Sequence, residues 1–193
     1  MLKEKLTLFV KNLYTNSGVK LLQLVLSNMA GVEINYIKLG EISVYYDKLV
    51  TTQQIIENKI NELEFFIIRD ETFIIIEKVK IACIELIYMA NNVDSLIKKS
   101  NYLSEKLGLP YVKISKLFND TQPYTLENYI ILLKIESVKN MIRTNDYSLS
   151  EISYMMNYSS VFYLSNQFKK ITGYTVSDFK KNKDLTIKPL EDI

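Results

Sequence analysis

The side chains able to do chemistry in this sequence are few in kind and gather in its second half. Histidine is absent, which removes imidazole acid–base catalysis, histidine-activated nucleophiles and histidine-containing metal sites. The single cysteine, Cys83, excludes an internal disulfide and fits a reducing compartment. Five glycines are scattered singly, with neither a P-loop nor a GxGxxG run, and an enzyme is not expected. What remains is a set of basic, amide, hydroxyl and aromatic side chains on two short segments. The first carries Val112, Lys113, Ser115 and Lys116; the second carries Ser159, Ser160, Val161, Phe162, Asn166, Lys169 and Lys170. Lysines neutralise phosphates, an asparagine amide pairs with adenine N6 and N7, and an apolar ring packs on a thymine methyl. This is the chemistry of duplex DNA contact, with an A·T-rich target suggested by Phe162 and Asn166.

The elements that must position these residues can be read from spacing. Ser148 and Glu151 form a capping box that opens a short helix, on which Ile152 and Met155 are expected to share the buried face. Asn157 to Ser160 makes a turn, and either Ser159 or Ser160 can cap the next helix. Leu164, Phe168 and Ile171 form that helix's apolar stripe, leaving Phe162, Asn166, Lys169 and Lys170 on its free face. Residues 102–118 repeat the plan. Leu103 and Leu107 pack a first helix, Gly108 turns the chain, and Ile114, Leu117 and Phe118 point inward while Lys113 and Lys116 point outward. A long helix over 126–143, with Ile131, Ile135, Val138 and Ile142 in line, joins the two units.

Charge follows the same division. The formal net charge is +2, yet residues 98–183 hold 13 basic and 7 acidic side chains while residues 1–97 hold 10 and 12. A basic block around the two units is what a phosphate-binding surface needs. Apolar residues make up 48% of the chain, enough for a substantial core. No apolar run is long and charge-free enough for a membrane span, and no signal peptide is expected.

The first 70 residues read differently. Strands are expected at 6–10, 32–36, 42–46 and 64–68, with helices capped by Ser17 and by Thr51 in capping-box spacing with Gln54. Gly31 is expected to end the first helix as its C′ residue, and Val32, Ile34 and Tyr36 to face inward. The order is βαββαβ, the ferredoxin-like split βαβ arrangement, with Phe9, Tyr45 and Phe65 on the uncovered sheet face. This part resembles the heavy-metal-associated domains, whose first loop carries two cysteines separated by two residues. Here the loop reads Tyr14-Thr15-Asn16-Ser17-Gly18. Thr15 and Gly18 stand at the cysteine positions, so the resemblance carries the fold and no soft-metal site. Residues 72–91 are expected to form one helix apolar on two sides, with Cys83 a small buried hydrophobe.

Residues 84–181 resemble the DNA-binding domain of the AraC-type transcription regulators, which joins two helix-turn-helix units by a long helix. The resemblance rests on Leu103, Leu107-Gly108, Leu117-Phe118 and Tyr129, then Phe168-Lys169-Lys170, Gly173, and Val176-Ser177-Asp178-Phe179-Lys180. The chain departs from the family at Asn157 (usually a turn glycine), Ser153 (usually another small residue) and Val176 (usually proline). It also departs at Phe162, where a polar residue is common, and at Asn166, often arginine. In the first unit Val112, Ser115 and Lys116 match the family's groove-facing positions.

The expected organisation is a ferredoxin-like domain over 1–70, an AraC-type double helix-turn-helix domain over 71–183, and a polar tail over 184–193. The resemblance implies a cytoplasmic, nucleoid-associated bacterial regulator of transcription. It would read successive major grooves about 34 Å apart with two helices, without cofactor, metal or membrane. RNA polymerase and a second copy of the chain stay open as protein partners. So does an alternative role, a protein-interaction module or co-regulator that uses the same fold without useful DNA affinity.

Overall fold

The computed structural model describes residues 3–89, 99–182 and 184–193. The protein is α+β. By contact it forms two compact units, Met1–Ile81 and Ala82–Ile193.

The first unit runs β1 (Lys3–Lys11), α1 (Asn16–Ser27), β2 (Val32–Lys38), β3 (Glu41–Asp47), α2 (Gln53–Asn61), β4 (Phe66–Ile68) and most of α3 (Glu71–Ile84). The four strands make one sheet in the order β2-β3-β1-β4, with every neighbouring pair antiparallel. Leu6, Leu8 and Val10 of β1 alternate inward with Ile42, Val44 and Tyr46 of β3 and join Leu22, Leu26, Ile56 and Ile60 of α1 and α2 in one core. Asp70 caps α3, its carboxylate accepting from the amides of Thr72 and Phe73 at 2.8 and 3.2 Å.

Several local expectations are corrected here. Thr15, not Ser17, caps α1, accepting from the Gly18 amide at 3.1 Å. The helix ends at Ser27, before Gly31, whose positive φ serves the loop into β2. A register shift between Ile34 and Tyr36 turns Tyr36 to the outer face and buries Ile37 instead, as an extra residue in a period-two strand must. Phe65 precedes the three-residue β4 and lies in the core, near Leu13 and Gly18. The expected single helix over 72–91 stops at Ile84 and continues as a π-helical turn, Glu85–Met89; residues 90 and 91 fall outside the described part.

The second unit is helical. It holds α4 (Lys99–Leu107), α5 (Tyr111–Thr121), α6 (Leu126–Thr144), α7 (Leu149–Met155), α8 (Val161–Thr172) and α9 (Val176–Lys181). α6 touches α5, α7, α8 and α9, and residues 133–139 at its centre are all buried. The last residues, polar in composition, nevertheless pack down. Leu185 and Ile187 lie against the core formed by α6, α7, α8 and α9, and Ile193 is buried. Among the described residues no helix is long and apolar enough to cross a membrane.

Gly40 and Gly173 both sit at positive φ, 68° and 80°, but only Gly40 is crowded: an added Cβ would collide with the Ile81 side chain. Gly173→Ala is expected to cost about 1–2 kcal/mol from backbone conformation alone. Gly40→Ala should cost more, because Ile81 must also move. Urea denaturation of the two variants checks the order.

Candidate nucleic-acid interface

The second helices of the two pairs are built alike. Residues 111–120 and 161–170 show the same burial position by position, fifty residues apart. Ile114 and Phe118 on α5 match Leu164 and Phe168 on α8 as the fully buried anchors. Val112, Lys113, Lys116, Asn119 and Asp120 match Phe162, Tyr163, Asn166, Lys169 and Lys170 as exposed positions, and Ser115 matches Ser165 at the half-buried flank. Spacings of three and four put Val112 with Lys116, and Phe162 with Asn166 and Lys169, on one free face of each helix. Ile171, expected in the apolar stripe, is instead 39% exposed, since Leu164 and Phe168 already fill the contact with the core.

Each pair is held by different local devices. In the first, Gly108 turns the chain at φ 65° and Pro110 precedes α5 without a side-chain cap. The Tyr111 hydroxyl donates to Glu127 Oε1 at 2.8 Å, and Asn119 Oδ1 accepts from the Leu126 amide at 2.9 Å. Both ends of α5 are thereby tied to the start of α6. Phe118, Tyr124 and Tyr129 form an aromatic cluster, with Tyr124 and Tyr129 stacked at 5.9 Å.

In the second pair the Ser148–Glu151 capping box is complete, and the two bonds from Ser148 hold the Glu151 carboxyl below its usual pKa. Asn157 takes the turn at φ 52°, a conformation asparagine tolerates better than most residues. Ser160 is the cap of α8, accepting from the Tyr163 amide at 3.1 Å; Ser159 is exposed beside it, and Val161 is half-buried as the first helical residue. Met156, one residue beyond the expected Met155, supplies the buried methionine of the turn.

Electrostatics separates the two faces. α5 places Lys113 and Lys116 in its first two turns. α8 presents Phe162 (75% exposed) and Tyr163 (54%) there and holds its cations, Lys169 and Lys170, in the last turn. Tyr163 was not among the sequence candidates, although aligning Ile114-x-x-x-Phe118 with Leu164-x-x-x-Phe168 pairs it with Lys113. Tyr154 on α7, 80% exposed, was likewise missed; nothing in its local spacing marks it.

Behind these faces lies a buried cation that sequence periodicity cannot reveal. Lys134 of α6 donates to the Met156 carbonyl at 2.6 Å, with its ammonium 5.0 Å from the Tyr158 ring. It thus ties α6 to the carbonyl end of α7, where a cation is favoured. Burial pushes its pKa down to about 8.

The remaining sequence sites do not come together with this surface. Cys83 is fully buried, and burial pushes its thiol up to about 12, as suits an inert hydrophobe. The residues of the first loop do not fit a soft metal. The Thr15 hydroxyl is committed to the α1 cap, and a Cβ at Gly18 would stand 3.1 Å from Leu13 and 3.2 Å from Phe65, so a cysteine there would have to displace core side chains.

No protein-family model matches the chain, and no curated protein matches it. Among solved structures, the transcriptional regulator CdpR from Pseudomonas aeruginosa is similar, with 8% identity and a TM-score of 0.45. The match covers 76% of this chain and 47% of that one, so the chain spans about half that protein's length.

Lys134 has a folded pKa below its unfolded value, so between about pH 8 and 10.5 the unfolded chain binds more protons and stability rises with pH. The stability difference between wild type and Lys134→Met is expected to shift in favour of wild type across that window and to stay flat below it. Urea melts of both proteins from pH 6 to 10 test this.

Proposed function

We propose that the chain is a DNA-binding transcription regulator of AraC type, not an enzyme, working in the bacterial cytoplasm on the nucleoid. The observation that carries this reading is the doubled construction: two helix pairs whose second helices share one burial pattern, joined by one long helix. The second helix of each pair has a free face of basic, amide or aromatic groups. A helix held by its partner and free on its outer face suits a major groove, and two such helices suit successive grooves of one duplex.

The roles follow from side-chain chemistry. Lys113, Lys169 and Lys170 neutralise phosphates, and Lys116 contacts phosphate or guanine. Asn166 pairs with adenine, and Phe162 packs on a thymine methyl. Ser160, with Ser159 beside it, brings the amide end of α8 toward the backbone, where a helix N-terminus attracts phosphate. Val112, Ser115 and Val161 shape the contact. The order βαββαβ with the sheet order β2-β3-β1-β4 supports a ferredoxin-like reading of the first unit, which carries a sensing or partner-binding role without metal.

The exposed aromatic group Tyr154, Phe162 and Tyr163 favours a second reading, in which the α7–α8 face meets a protein such as RNA polymerase and only the α5 face engages DNA. The two readings differ in salt dependence. Selection of duplexes from a random pool, followed by anisotropy titration over a range of salt, should yield a motif of two half-sites about one turn apart. Lys116→Ala and Lys169→Ala are each expected to reduce the logarithmic salt slope by about one. A slope unchanged by Lys169→Ala but reduced by Lys116→Ala selects the second reading, and no salt-dependent duplex binding at all removes the first.

A further inference from the structure

The sheet of the first unit is incomplete along one edge. β1 has nine residues, but β4 pairs only with Phe9, Val10 and Lys11. Among the described residues, Lys3 to Leu8 have β3 on one side and no strand on the other. An open edge presents unpaired N–H and C=O groups at alternate residues, and such edges template the addition of a further strand. Beside this one lies a groove of about 580 Å³ that continues the line of β4 where the chain leaves the sheet at Arg69.

The groove's walls specify what would lie in it. Along its floor Leu6 and Leu8 point to the side covered by α2, and Thr7 and Lys5 to the side where Lys78 of α3 lies over the Phe9 ring. On the α2 side the buried Glu57 carboxylate is already satisfied, accepting from Gln53 Nε2 at 2.8 Å and Arg69 Nη2 at 2.6 Å. That wall therefore asks for no charge. On the α3 side the lining is Ile74 and Ile75 with the exposed Glu71 at the head of the helix, and Ile67 and Ile68 of β4 close the end. Residues of an added strand opposite Leu8, Thr7 and Leu6 would meet a mainly apolar lining, bordered by Gln53 and Arg69 on the α2 side and by Glu71 on the α3 side. The next residue would face Lys5, which is exposed and has no ion-pair partner among the described residues, unlike its neighbours Lys3 and Glu4, paired with Glu33 and Lys48.

We propose that the outer edge of β1 is a strand-accepting slot for a partner protein. It takes an extended segment with three consecutive apolar residues followed by an acidic one, running antiparallel to β1 as β4 does. The backbone edge supplies affinity, and the apolar walls with Lys5 supply register and selectivity. This inference concerns the first unit alone and stands independently of DNA binding by the second.

A labelled, capped hexapeptide Thr-Val-Ile-Val-Glu-Thr tests it, titrated by anisotropy into the full chain. Saturable binding is expected. N-methylation of the first and third residues of the Val-Ile-Val-Glu stretch, or of the second and fourth, should weaken binding about tenfold in one case and little in the other, because a paired strand bonds outward only at alternate amides. Lys5→Glu, with its fold checked by circular dichroism, should weaken the parent peptide several-fold and restore affinity to the peptide carrying lysine in place of the acid. The proposal is overturned by no saturable binding at millimolar peptide, by equal effects of the two methylation patterns, or by loss of charge-swap rescue. It also falls if sedimentation shows a dimer that Lys5→Glu dissolves, which would make a second copy of the chain the occupant.

Discussion

The burial of charge at the centre of α6 is the constraint on which the second unit depends. Lys134, Glu136 and Lys139 are each under a tenth exposed, and an unpaired buried charge costs several kcal/mol. Lys139 pairs with Glu136 within the helix, and Lys134 and Glu136 make contacts that also fix a neighbouring segment. Lys134 donates to the carbonyl of Met156 at the end of α7. Glu136 accepts from Lys139 Nζ at 2.7 Å and from the Lys188 amide at 2.9 Å, which holds the final segment of the chain against the helix. Farther along, Arg143 lies over the Phe179 ring at 4.3 Å and donates to the carbonyls of Asn182 and Leu185. These bonds are directional where apolar packing is not, so they set rotation and position as well as proximity. Over its 19 residues α6 extends about 28 Å. The separation of the two helix pairs is therefore the property of one anchored rod.

With the rod fixed, α5 and α8 differ where packing leaves them free. Ile114 and Phe118, Leu164 and Phe168 are interchangeable in role because a core asks for shape and apolarity. The outer positions carry no such demand, and there the helices diverge: lysine in the first two turns of α5, and phenylalanine, tyrosine and asparagine followed by Lys169 and Lys170 on α8. A face of lysines attracts any polyanion and weakens steeply with salt. A face of rings and an amide gains little at long range but discriminates at contact. One anchored rod thus carries two free faces that share lysines and differ in where those lysines stand and in the rings and amide beside them.

How much of this was legible in the sequence depends on how far the determining interaction reaches along the chain. The Ser148–Glu151 box and the Asn157 turn span a few residues and were readable as they stand. The inward alternation of Ile42, Val44 and Tyr46 was readable too, because period two is local. Where two local solutions compete, the sequence could not choose. Thr15 caps α1 in place of Ser17, and the shift at Asn35 exchanges Tyr36 for Ile37; each is decided by what the neighbouring strand and core accept. The buried charges of α6 lay furthest from view. Lys134 sits in a helical pattern that reads as an ordinary polar position, and only the carbonyl of Met156, 22 residues away, explains its burial. The unpaired edge of β1 is hidden for the same reason. That β4 stops at Ile68 follows from Asp70 capping α3 so soon afterwards, and the effect of that early stop falls on Lys3 to Leu8, more than sixty residues back along the chain. Local patterns fix what each element is; which of its groups are left without a partner is decided by the other elements, and binding surfaces are made of those groups.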